Sequence, residues 1–313
     1  MSLLGAIYGL GVKARNHLYD RGTLRSRRLS GPVISVGNIS AGGAGKTPFV
    51  ILLGELLKKR GIPFDVLSRG YGRHTKGVLV VDADGTATDF GDEPLLIARR
   101  LACPVVVGES RYQAGVLAEK QFGPRLHILD DGFQHRPLAR DFDIALLTPE
   151  DIRDSLLPTG RLREPLTSLD RADAVVWSGG ADPPVQSSGK RTWQIRRDLL
   201  VSEPPLRPIV FCGIARPQTF LNQLRTHGIE PVAQKFYRDH HAYSDNNIEE
   251  LVRLRDRTQS RGFITTEKDA VNLGSRIAKL GAVAIAHVTM DIVEPADALD
   301  TILQTIRHRK QQA

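Results

Sequence analysis

A short glycine-rich segment constrains this chain more than any other feature of its sequence. The segment Ser40–Thr47 reads SAGGAGKT and lies between an apolar run (PVISVG, 32–37) and a stretch with helical spacing that begins at Lys46. A strand, a glycine-rich turn and a helix in this order form a phosphate-binding loop, or P-loop, because glycines let successive backbone N–H groups face an anion. We expect Lys46 to reach the β- and γ-phosphates of a nucleotide and the Thr47 hydroxyl to ligate Mg²⁺.

The first position of this loop departs from the general P-loop pattern. That pattern begins with glycine, and this chain has Ser40 there. The later glycines, the lysine and the threonine all match, although a glycine-rich turn with an incidental lysine is the alternative. The predicted nucleotide-binding residues are Ser40, Ala41, Gly42, Gly43, Ala44, Gly45, Lys46 and Thr47.

Strand-like and helix-like segments alternate along the chain. Apolar runs at 64–67, 104–107 and 126–129 each follow a segment of helical periodicity, at 46–60, 93–101 and 111–121 respectively. This rhythm predicts an α/β fold, P-loop NTPase-like, with a mostly parallel sheet flanked by helices. The segment SGGADPPVQSSGK (178–190) predicts a linker, after which the alternation resumes. We therefore predict an N-terminal segment (1–30), a core domain (31–180) and a smaller α/β domain (181–313), whose last helix can pack back on the core.

Composition excludes several classes of protein. The 313 residues include 43 Lys and Arg against 35 Asp and Glu, and 41% are hydrophobic. No run approaches the ~20 apolar residues of a membrane-spanning helix. Cys103 and Cys212 stand apart with no CxxC, which argues against a structural zinc site and a disulfide framework. Aromatic residues make up only 6% and no nucleic-acid-binding motif occurs, so we expect no nucleic-acid partner.

The N-terminus combines an apolar segment with basic residues. Residues 3–12 are apolar apart from small residues and Tyr8, and six Lys and Arg follow within sixteen residues, opposed only by Asp20. This pattern is typical of a helix that lies in an anionic membrane interface. A terminal helix packed on the domain with a solvated basic side is the alternative.

Two acidic pairs are candidates for metal binding or proton transfer. Asp130 and Asp131 end an apolar strand, which places them at the carboxyl edge of the sheet where ligands bind in open α/β folds. Mg²⁺ requires such oxygens, although Asp-Asp-Gly also suits a surface turn. Asp92 and Glu93 precede a helix, and either could serve only as a helix cap.

Three further segments concentrate charged and aromatic residues. The loops SRGYGR (68–73) and PTGRLREP (158–165) combine arginine with Gly, Pro or Tyr, which suits phosphate and sugar recognition. A solvated loop is the alternative for each. The segment FYRDHHAY (236–243) places His240 beside Asp239, and a histidine near an aspartate can act as a base. From the sequence alone, a structural or surface role is favoured there.

Taken in order, these motifs resemble the tetraacyldisaccharide 4′-kinase family of lipid A biosynthesis. The resemblance rests on GGAGKTP, SRGYGR, GDEP, LDDGFQHRPLARDFDI, LLPTGRLREP, DHHAY and TTEKDA, and it spans about residues 10 to 290. It implies ATP-dependent transfer of the γ-phosphoryl group to the 4′-hydroxyl of an acylated glucosamine disaccharide 1-phosphate, which forms lipid IVA. It also implies a peripheral protein at the cytoplasmic face of the bacterial inner membrane, with no obligate protein partner.

The resemblance also assigns roles by position. It implies that Asp92 is the catalytic base and His240 its dyad partner, and that Lys46 and Thr47 bind phosphates and Mg²⁺. Glu93, Asp130 and Asp131 resemble the metal and catalytic carboxylates. The implied substrate contacts are Asn38, Arg69, Tyr71, Gln134 and Arg163.

Two other classes compete with a kinase. A P-loop GTPase or metallochaperone normally carries Asn-Lys-x-Asp, and the nearest segment, TEKD (266–269), does not match it. A nucleotide-gated membrane adaptor would bind ATP without phosphorylating a lipid. The two acidic pairs favour an enzyme over this adaptor.

Overall fold

The computed structural model describes residues 3–179 and 190–312. Its strands are β1 (Val33–Asn38), β2 (Phe64–Ser68), β3 (Leu79–Val80), β4 (Val105–Val107), β5 (Leu126–Asp130), β6 (Phe142–Leu147), β7 (Ala174–Trp177), β8 (Arg191–Val201), β9 (Ile209–Cys212), β10 (Ala233–Phe236), β11 (Phe263–Thr266) and β12 (Val283–Ile292). Most of the predicted linker, and with it the predicted boundary after residue 180, lies outside the described residues.

The helices alternate with these strands over much of the chain. They are α1 (Leu3–Asp20), α2 (Lys46–Lys59), α3 (Ala87–Phe90), α4 (Asp92–Leu101), α5 (Arg111–Phe122), α6 (Pro149–Ile152), α7 (Pro217–Thr226), α8 (Asp245–Thr258), α9 (Glu267–Leu273) and α10 (Pro295–Gln312), with 3₁₀ segments at Leu166–Arg171 and Gly274–Leu280.

The N-terminal half of the sheet has the order β3-β4-β2-β5-β1-β6-β7, and its neighbours run parallel except for β3 with β4. Strands β1, β2, β5 and β6 are buried along their whole length. Successive residues of β1 belong to different cores, because successive side chains of a strand point to opposite faces. Ile34 lies in one core with Phe49 of α2, and Val33 lies in another with Ala114 of α5. The predicted α/β fold with a mostly parallel sheet is confirmed.

Strand β8 joins this half to the rest of the sheet. Its residues 191–194 pair in parallel with β7, and residues 195–201 pair antiparallel with β12. Strands β12, β11, β9 and β10 follow as parallel neighbours, so the twelve described strands form one continuous sheet. The two halves of the chain are therefore joined by backbone hydrogen bonds.

The ends of neighbouring strands bring functional side chains together. Asn38, Ser68 and Asp130 are the last residues of β1, β2 and β5, which lie side by side. The segments after β10 and β11 carry His240 and Lys268, which line the same cleft from the C-terminal half. The site thus lies between the two halves of the sheet.

The two terminal helices pack on the N-terminal half. Leu299, Ile302 and Ile306 of α10 belong to the same core as Leu53 of α2. Helix α1 contacts the loops after β5 and before the 3₁₀ segment, since Asn16 donates to Glu164 at 2.8 Å. None of the helices in residues 3–179 and 190–312 is long and apolar enough to cross a membrane.

Candidate active site

The glycine-rich loop adopts the backbone conformation that its sequence predicts. Gly43 and Gly45 have φ of 60° and 86°, a region that residues with side chains rarely adopt. Helix α2 begins at Lys46, directly after Gly45. The first backbone N–H groups of a helix have no intrahelical partner, so they are available to an anion. The loop therefore has the conformation of a phosphate site.

Lys46 belongs to a network that joins five of the predicted residues. Its Nζ donates to Asn38 Oδ1 at 3.1 Å and lies 3.5 Å from Asp131 Oδ1. Arg163 donates to both carboxylate oxygens of Asp131, at 2.8 and 3.0 Å, and to Asn38 Oδ1. Asn38 in turn donates to Ser40 Oγ at 3.1 Å. The structure thus places two predicted substrate contacts, Asn38 and Arg163, directly beside the P-loop.

The adjacent carboxylates Asp130 and Asp131 have opposite environments. Asp130 accepts a hydrogen bond from Ser68 at 3.0 Å, while its Oδ1 is buried without a partner. Burial, together with Glu93 and Asp131, raises the pKa of Asp130 to about 7. Burial acts in the same sense on Asp131, but Lys46 and Arg163 lower the pKa of Asp131 far below its usual range. Asp131 is therefore neutralised by cations, and Asp130 is not.

The residues predicted to ligate Mg²⁺ are Thr47, Glu93, Asp130 and Asp131. Their side chains offer only oxygen atoms, the donors that Mg²⁺ prefers. Asp130 fits the ion best because its Oδ1 has no partner, whereas Glu93 is paired with Lys268 at 3.1 Å. Within residues 3–179 and 190–312, no group of three or more His, Cys, Asp or Glu is placed to hold a metal ion. Mg²⁺ in kinases usually takes one or two carboxylates and completes its shell with phosphates and water.

Asp92 and His240 form a hydrogen-bonded pair across the two halves. Asp92 begins α4 and is 3% exposed, and His240 Nδ1 lies 2.9 and 3.0 Å from its two oxygens. Asn272 donates to Asp92 Oδ2 at 3.1 Å, and the backbone N–H of Glu93 donates to Oδ1 at 2.9 Å. Lys268 Nζ lies 3.1 Å from His240 Nε2. The pair therefore sits in a cluster of fixed donors, not on a solvated surface.

The charges of this cluster shift the acidity of each member. Burial tends to raise the pKa of Asp92, but the His240 hydrogen bond and the Lys268 charge hold the pKa below its ordinary value. Burial tends to lower the pKa of His240, and its hydrogen bond to Asp92 gives a net rise. Burial likewise opposes charge on Lys268, but Glu93 and Asp92 raise its pKa. Asp92 is thus an ionised carboxylate that can accept a proton.

The remaining predicted substrate contacts lie in two places. Tyr71 is 63% exposed, and its ring centroid lies 5.1 Å from that of His240. Arg69 and Tyr71 both line the cleft beside the P-loop. Gln134 lies behind it, donating to the Asn38 carbonyl at 2.9 Å and to Glu164 at 3.0 Å.

A second cavity of about 390 Å³ lies between α1 and the core. Its lining residues are Tyr8, Gly11, Val12, Arg15, Gln134, Arg163 and Glu164. The Tyr8 hydroxyl donates to the carbonyl of Arg163 at 3.1 Å. Because Arg163 also lines the cleft at the P-loop, it is the point at which the two cavities adjoin.

Sequence reasoning missed four residues in or beside the cleft. Lys268 and Asn272 contact the Asp92–His240 pair. The motif TTEKDA, which contains Lys268, contributes to the family resemblance and fails to match a guanine-binding sequence, but neither observation assigns Lys268 a role. Arg197 donates to the carbonyl of Ala44 in the P-loop, and Arg216 donates to Glu150 at 3.1 Å. Arg197 lies in β8, whose charged residues hide it from a search for apolar runs, and Arg216 follows β9 with no motif around it.

The cleft between the halves is large enough for a nucleotide, at about 670 Å³. On one wall the P-loop offers an anion site with Lys46, and on the other lies His240, which is paired with the buried carboxylate of Asp92. A polyphosphate held beside a base is suited to moving a phosphoryl group onto a hydroxyl. This fold and site define a P-loop phosphotransferase.

Comparison with known proteins identifies which one. The family model for tetraacyldisaccharide-1-P 4′-kinase matches residues 1–307. The tetraacyldisaccharide 4′-kinase of Koribacter versatilis is 47% identical over 99% of this chain and 100% of its own length, and that of Aquifex aeolicus is 40% identical over 85% and 87%. The crystal structure of LpxK from Aquifex aeolicus in complex with ATP matches with a TM-score of 0.80 at 36% identity, covering 97% of each chain.

The chain therefore belongs to the tetraacyldisaccharide-1-phosphate 4′-kinase family. This confirms the predicted family, the fold class and the predicted enzyme, an ATP-dependent kinase that phosphorylates the 4′-hydroxyl of a tetraacyldisaccharide 1-phosphate in lipid A biosynthesis. The alternatives of a GTPase, a metallochaperone and a non-catalytic adaptor are wrong, because the relatives that span the chain are kinases.

Proposed function

We propose that the kinase works through Asp92 as the general base, with His240 as its partner, Mg²⁺ held at Asp130, and the lipid presented through the cavity beneath α1. The observation that carries this proposal is the hydrogen-bonded pair of the buried Asp92 and the half-buried His240, at 2.9 Å, next to the cleft that the P-loop lines. The role of each residue follows from its contacts.

The P-loop and its network hold the donor. Backbone N–H groups at the start of α2 and the Lys46 ammonium bind the phosphates of ATP and neutralise their charge. Arg163 and Lys46 occupy the carboxylate of Asp131, so Asp131 is better placed to orient these two side chains than to ligate a metal. Mg²⁺, when bound, neutralises charge on the transferred phosphoryl group, and Asp130 would hold it together with Thr47 and Glu93.

Asp92 supplies the proton acceptor. The oxygen of the sugar hydroxyl attacks the γ-phosphorus, its proton passes to Asp92, and the bond from the γ-phosphorus to the β–γ bridging oxygen breaks to release ADP. Asn272 and the N–H of Glu93 hold the carboxylate in place while His240 donates to it through Nδ1. Fixed orientation of the base is the part of catalysis that this arrangement supplies.

The cavity beneath α1 suits the acceptor lipid. Arg163, which lines this cavity, also donates a hydrogen bond to Asn38 beside the P-loop. A sugar in this cavity can therefore extend its hydroxyl toward the phosphates. Helix α1 exposes three apolar side chains, Leu4, Ile7 and Leu10, at 63%, 58% and 67%. An acylated substrate resides in a bilayer, and these leucines and isoleucine can enter its interface. We place the protein peripherally at the cytoplasmic face of the inner membrane, where ATP is available.

Replacing Asp92 tests the chemical part of this proposal. Asp92→Ala should lower kcat by roughly 10²–10⁴-fold, because a positioned general base contributes about that much to the rate. His240→Ala should lower kcat by a smaller factor, because it removes only the partner of the base. Binding of ATP, measured by calorimetry, should change little in either. The matched control is Asp84→Asn, an exposed aspartate on the same segment of the chain. Unchanged turnover in Asp92→Ala would remove Asp92 from the role of base.

A further inference from the structure

Lys268 makes a set of contacts that the proposed mechanism does not use. Its Nζ lies 3.1 Å from Glu93 Oε1 and 3.1 Å from His240 Nε2. The carboxylates of Asp239 and Asp92 lie 3.7 and 3.8 Å away. The side chain is only 18% exposed although it lines the cleft. An ammonium in this position is held by several partners at once.

The contact with His240 has a definite direction. A lysine ammonium has three N–H donors and no acceptor, so Nε2 of His240 must be the acceptor in their hydrogen bond. The ring hydrogen then resides on Nδ1, which faces the two oxygens of Asp92. Lys268 and Asp92 thus select the same tautomer of the neutral imidazole from opposite sides of the ring.

We propose that Lys268 is a positioning residue for the reaction, which fixes the tautomer and ring orientation of His240 so that Nδ1–H is always directed at Asp92. This inference rests on the proposed roles of Asp92 and His240. It explains why a cation from α9 crosses to α4 in the other half, where Glu93 anchors it. The hydrogen bond between His240 and Asp92 then keeps one orientation through the catalytic cycle.

The packing around the ring leaves this task to Lys268. His240 lies in a loop with φ of +55°, and the Tyr71 ring, itself largely exposed, packs against it at 5.1 Å between centroids. Besides the contact with Lys268, the nearest charged group to Nε2 is the Asp239 carboxylate at 3.9 Å. Without the ammonium, an N–H group at Nε2 would face the Asp239 carboxylate. That carboxylate would stabilise the forms of the ring that are protonated at Nε2, which are the Nε2–H tautomer and the imidazolium.

The first experiment observes the tautomer directly. In enzyme labelled with ¹⁵N at both histidine ring nitrogens, without nucleotide and at an alkaline pH, the His240 resonances should show a pyrrole-type Nδ1 and a pyridine-type Nε2. In Lys268→Met, Nε2 should become protonated in part of the population. An Nε2–H tautomer or an imidazolium in the wild type, or an unchanged pattern in Lys268→Met, would overturn the proposal.

The second experiment separates positioning from phosphate binding. Lys268→Met should lower kcat roughly ten- to a hundredfold, a part of what a general base contributes, with an ATP dissociation constant within about twofold of wild type. Lys268→Arg keeps a charged donor and should recover much of kcat. The control Lys279→Met removes an exposed lysine that pairs with Asp245 in the same half of the chain.

The outcomes distinguish this proposal from that for Asp92. A raised dissociation constant for ATP with an unchanged kcat in Lys268→Met would make Lys268 a phosphate ligand and defeat the positioning role. If Asp92→Ala retains full turnover, the proposed base is wrong, but the tautomer measurement still decides what Lys268 does to His240. If Lys268→Met does not fold, the same two measurements on Lys268→Ala, which also removes the N–H donor, decide the question.

Discussion

At the scale of single residues, the neighbours Asp130 and Asp131 show how context divides identical side chains between tasks. Asp131 has φ of +48° and turns its carboxylate toward Arg163 and Lys46, which satisfy it. Asp130 ends β5 and retains a buried oxygen without a partner. An unsatisfied buried acceptor in a stable fold costs free energy, and such groups concentrate where a ligand completes the site. The sequence alone could not assign these roles, because Arg163 is distant along the chain.

Substitution of each aspartate by asparagine should therefore affect stability in opposite directions. Without Mg²⁺, Asp130→Asn should raise the free energy of unfolding by about 1 kcal/mol, because a buried carboxyl without a cation is replaced by a neutral amide. Asp131→Asn should lower it by about 1 kcal/mol, a modest effect because the Asp131 side chain is 37% exposed and water screens its ion pairs. Urea unfolding in the presence of a chelator measures both.

Titration with Mg²⁺ provides the functional half of this test. The wild type should gain stability when Mg²⁺ and an ATP analogue are added, whereas Asp130→Asn should lose most of that gain and require more Mg²⁺ for activity. Equal losses in Asp130→Asn and Asp131→Asn would mean that the two carboxylates share the ion. Asp84→Asn, exposed and outside the cleft, serves as the control.

At the scale of secondary-structure elements, apolar periodicity was sufficient for most of the fold but not for β8. Helix α2 was predicted over 46–60 and is observed as Lys46–Lys59, because Phe49, Leu53 and Leu57 form a continuous buried stripe. Strand β8 escaped prediction because Arg196, Arg197 and Asp198 interrupt its apolar positions. Those charges are tolerated because Arg196 and Asp198 are exposed and Arg197 lines the cleft.

The same limit applies to the site. The P-loop, the strand-end acids and Asp92 each lie in a short continuous motif. The strands and helices predicted next to these motifs place them at the carboxyl edge of the sheet or at the start of a helix. The partner of Asp92 follows from the resemblance to the kinase family, since His240 is 148 residues away. Lys268 and Arg197 come from elements that only the tertiary fold brings to the cleft, so neither spacing nor periodicity predicts their contacts.

A buried histidine links three elements near the amino end of β5, opposite the strand end that carries Asp130. His127 of β5 is fully buried, with Nδ1 2.7 Å from Asp65 of β2 and Nε2 3.3 Å from Glu119 of α5. Glu119 also accepts from the backbone N–H of Gly31 at 2.7 Å, just before β1. Burial lowers the pKa of His127, but its two carboxylate partners produce a net rise. The protonated histidine therefore stabilises the native structure.

Stability should fall as pH rises through the neutral range because of His127. With a pKa raised in the folded state, its contribution is fully present below the unfolded pKa, about 6.5, and is lost as pH rises through the folded value. The pKa of Asp65 is also raised, by burial, which acts in the same sense at lower pH. Urea unfolding at several pH values should show this decline as the pH rises above about 6.5 in the wild type.

The variant His127→Gln should flatten that decline and cost roughly 1–3 kcal/mol at the acidic end, where a buried charged partner is lost. The control His308→Gln changes an exposed histidine near the end of α10 and should keep the wild-type slope. A wild-type slope in His127→Gln would show that other groups control stability in this range.

At the scale of the whole molecule, the two cavities adjoin at Arg163 and the exposed apolar face of α1 lies over one of them. Tyr8 and Asn16 on the inner face of α1 bind the core through Arg163 and Glu164. The outer face exposes Ile7 and Leu10. A bilayer that receives this outer face would present its lipids at the entrance of the cavity beneath α1, with the nucleotide cleft behind it. Contact of α1 with the membrane and access of the lipid to the cavity would then depend on the same arrangement.

This arrangement makes a prediction about kinetics at a bilayer surface. Ile7→Glu with Leu10→Glu should weaken binding to anionic vesicles in a flotation assay, since each buried aliphatic side chain contributes about 1.5–3 kcal/mol and a charge at that depth is unfavourable. The apparent KM for tetraacyldisaccharide 1-phosphate in vesicles should rise, while the KM for ATP stays constant. Removal of residues 1–20 should raise the same KM further.

The control Leu206→Glu changes an even more exposed leucine, at 77%, in the C-terminal half and should leave both KM values unchanged. An equal loss of vesicle binding in that control would show general surface hydrophobicity, and an unchanged lipid KM in the α1 variant would separate α1 from the membrane.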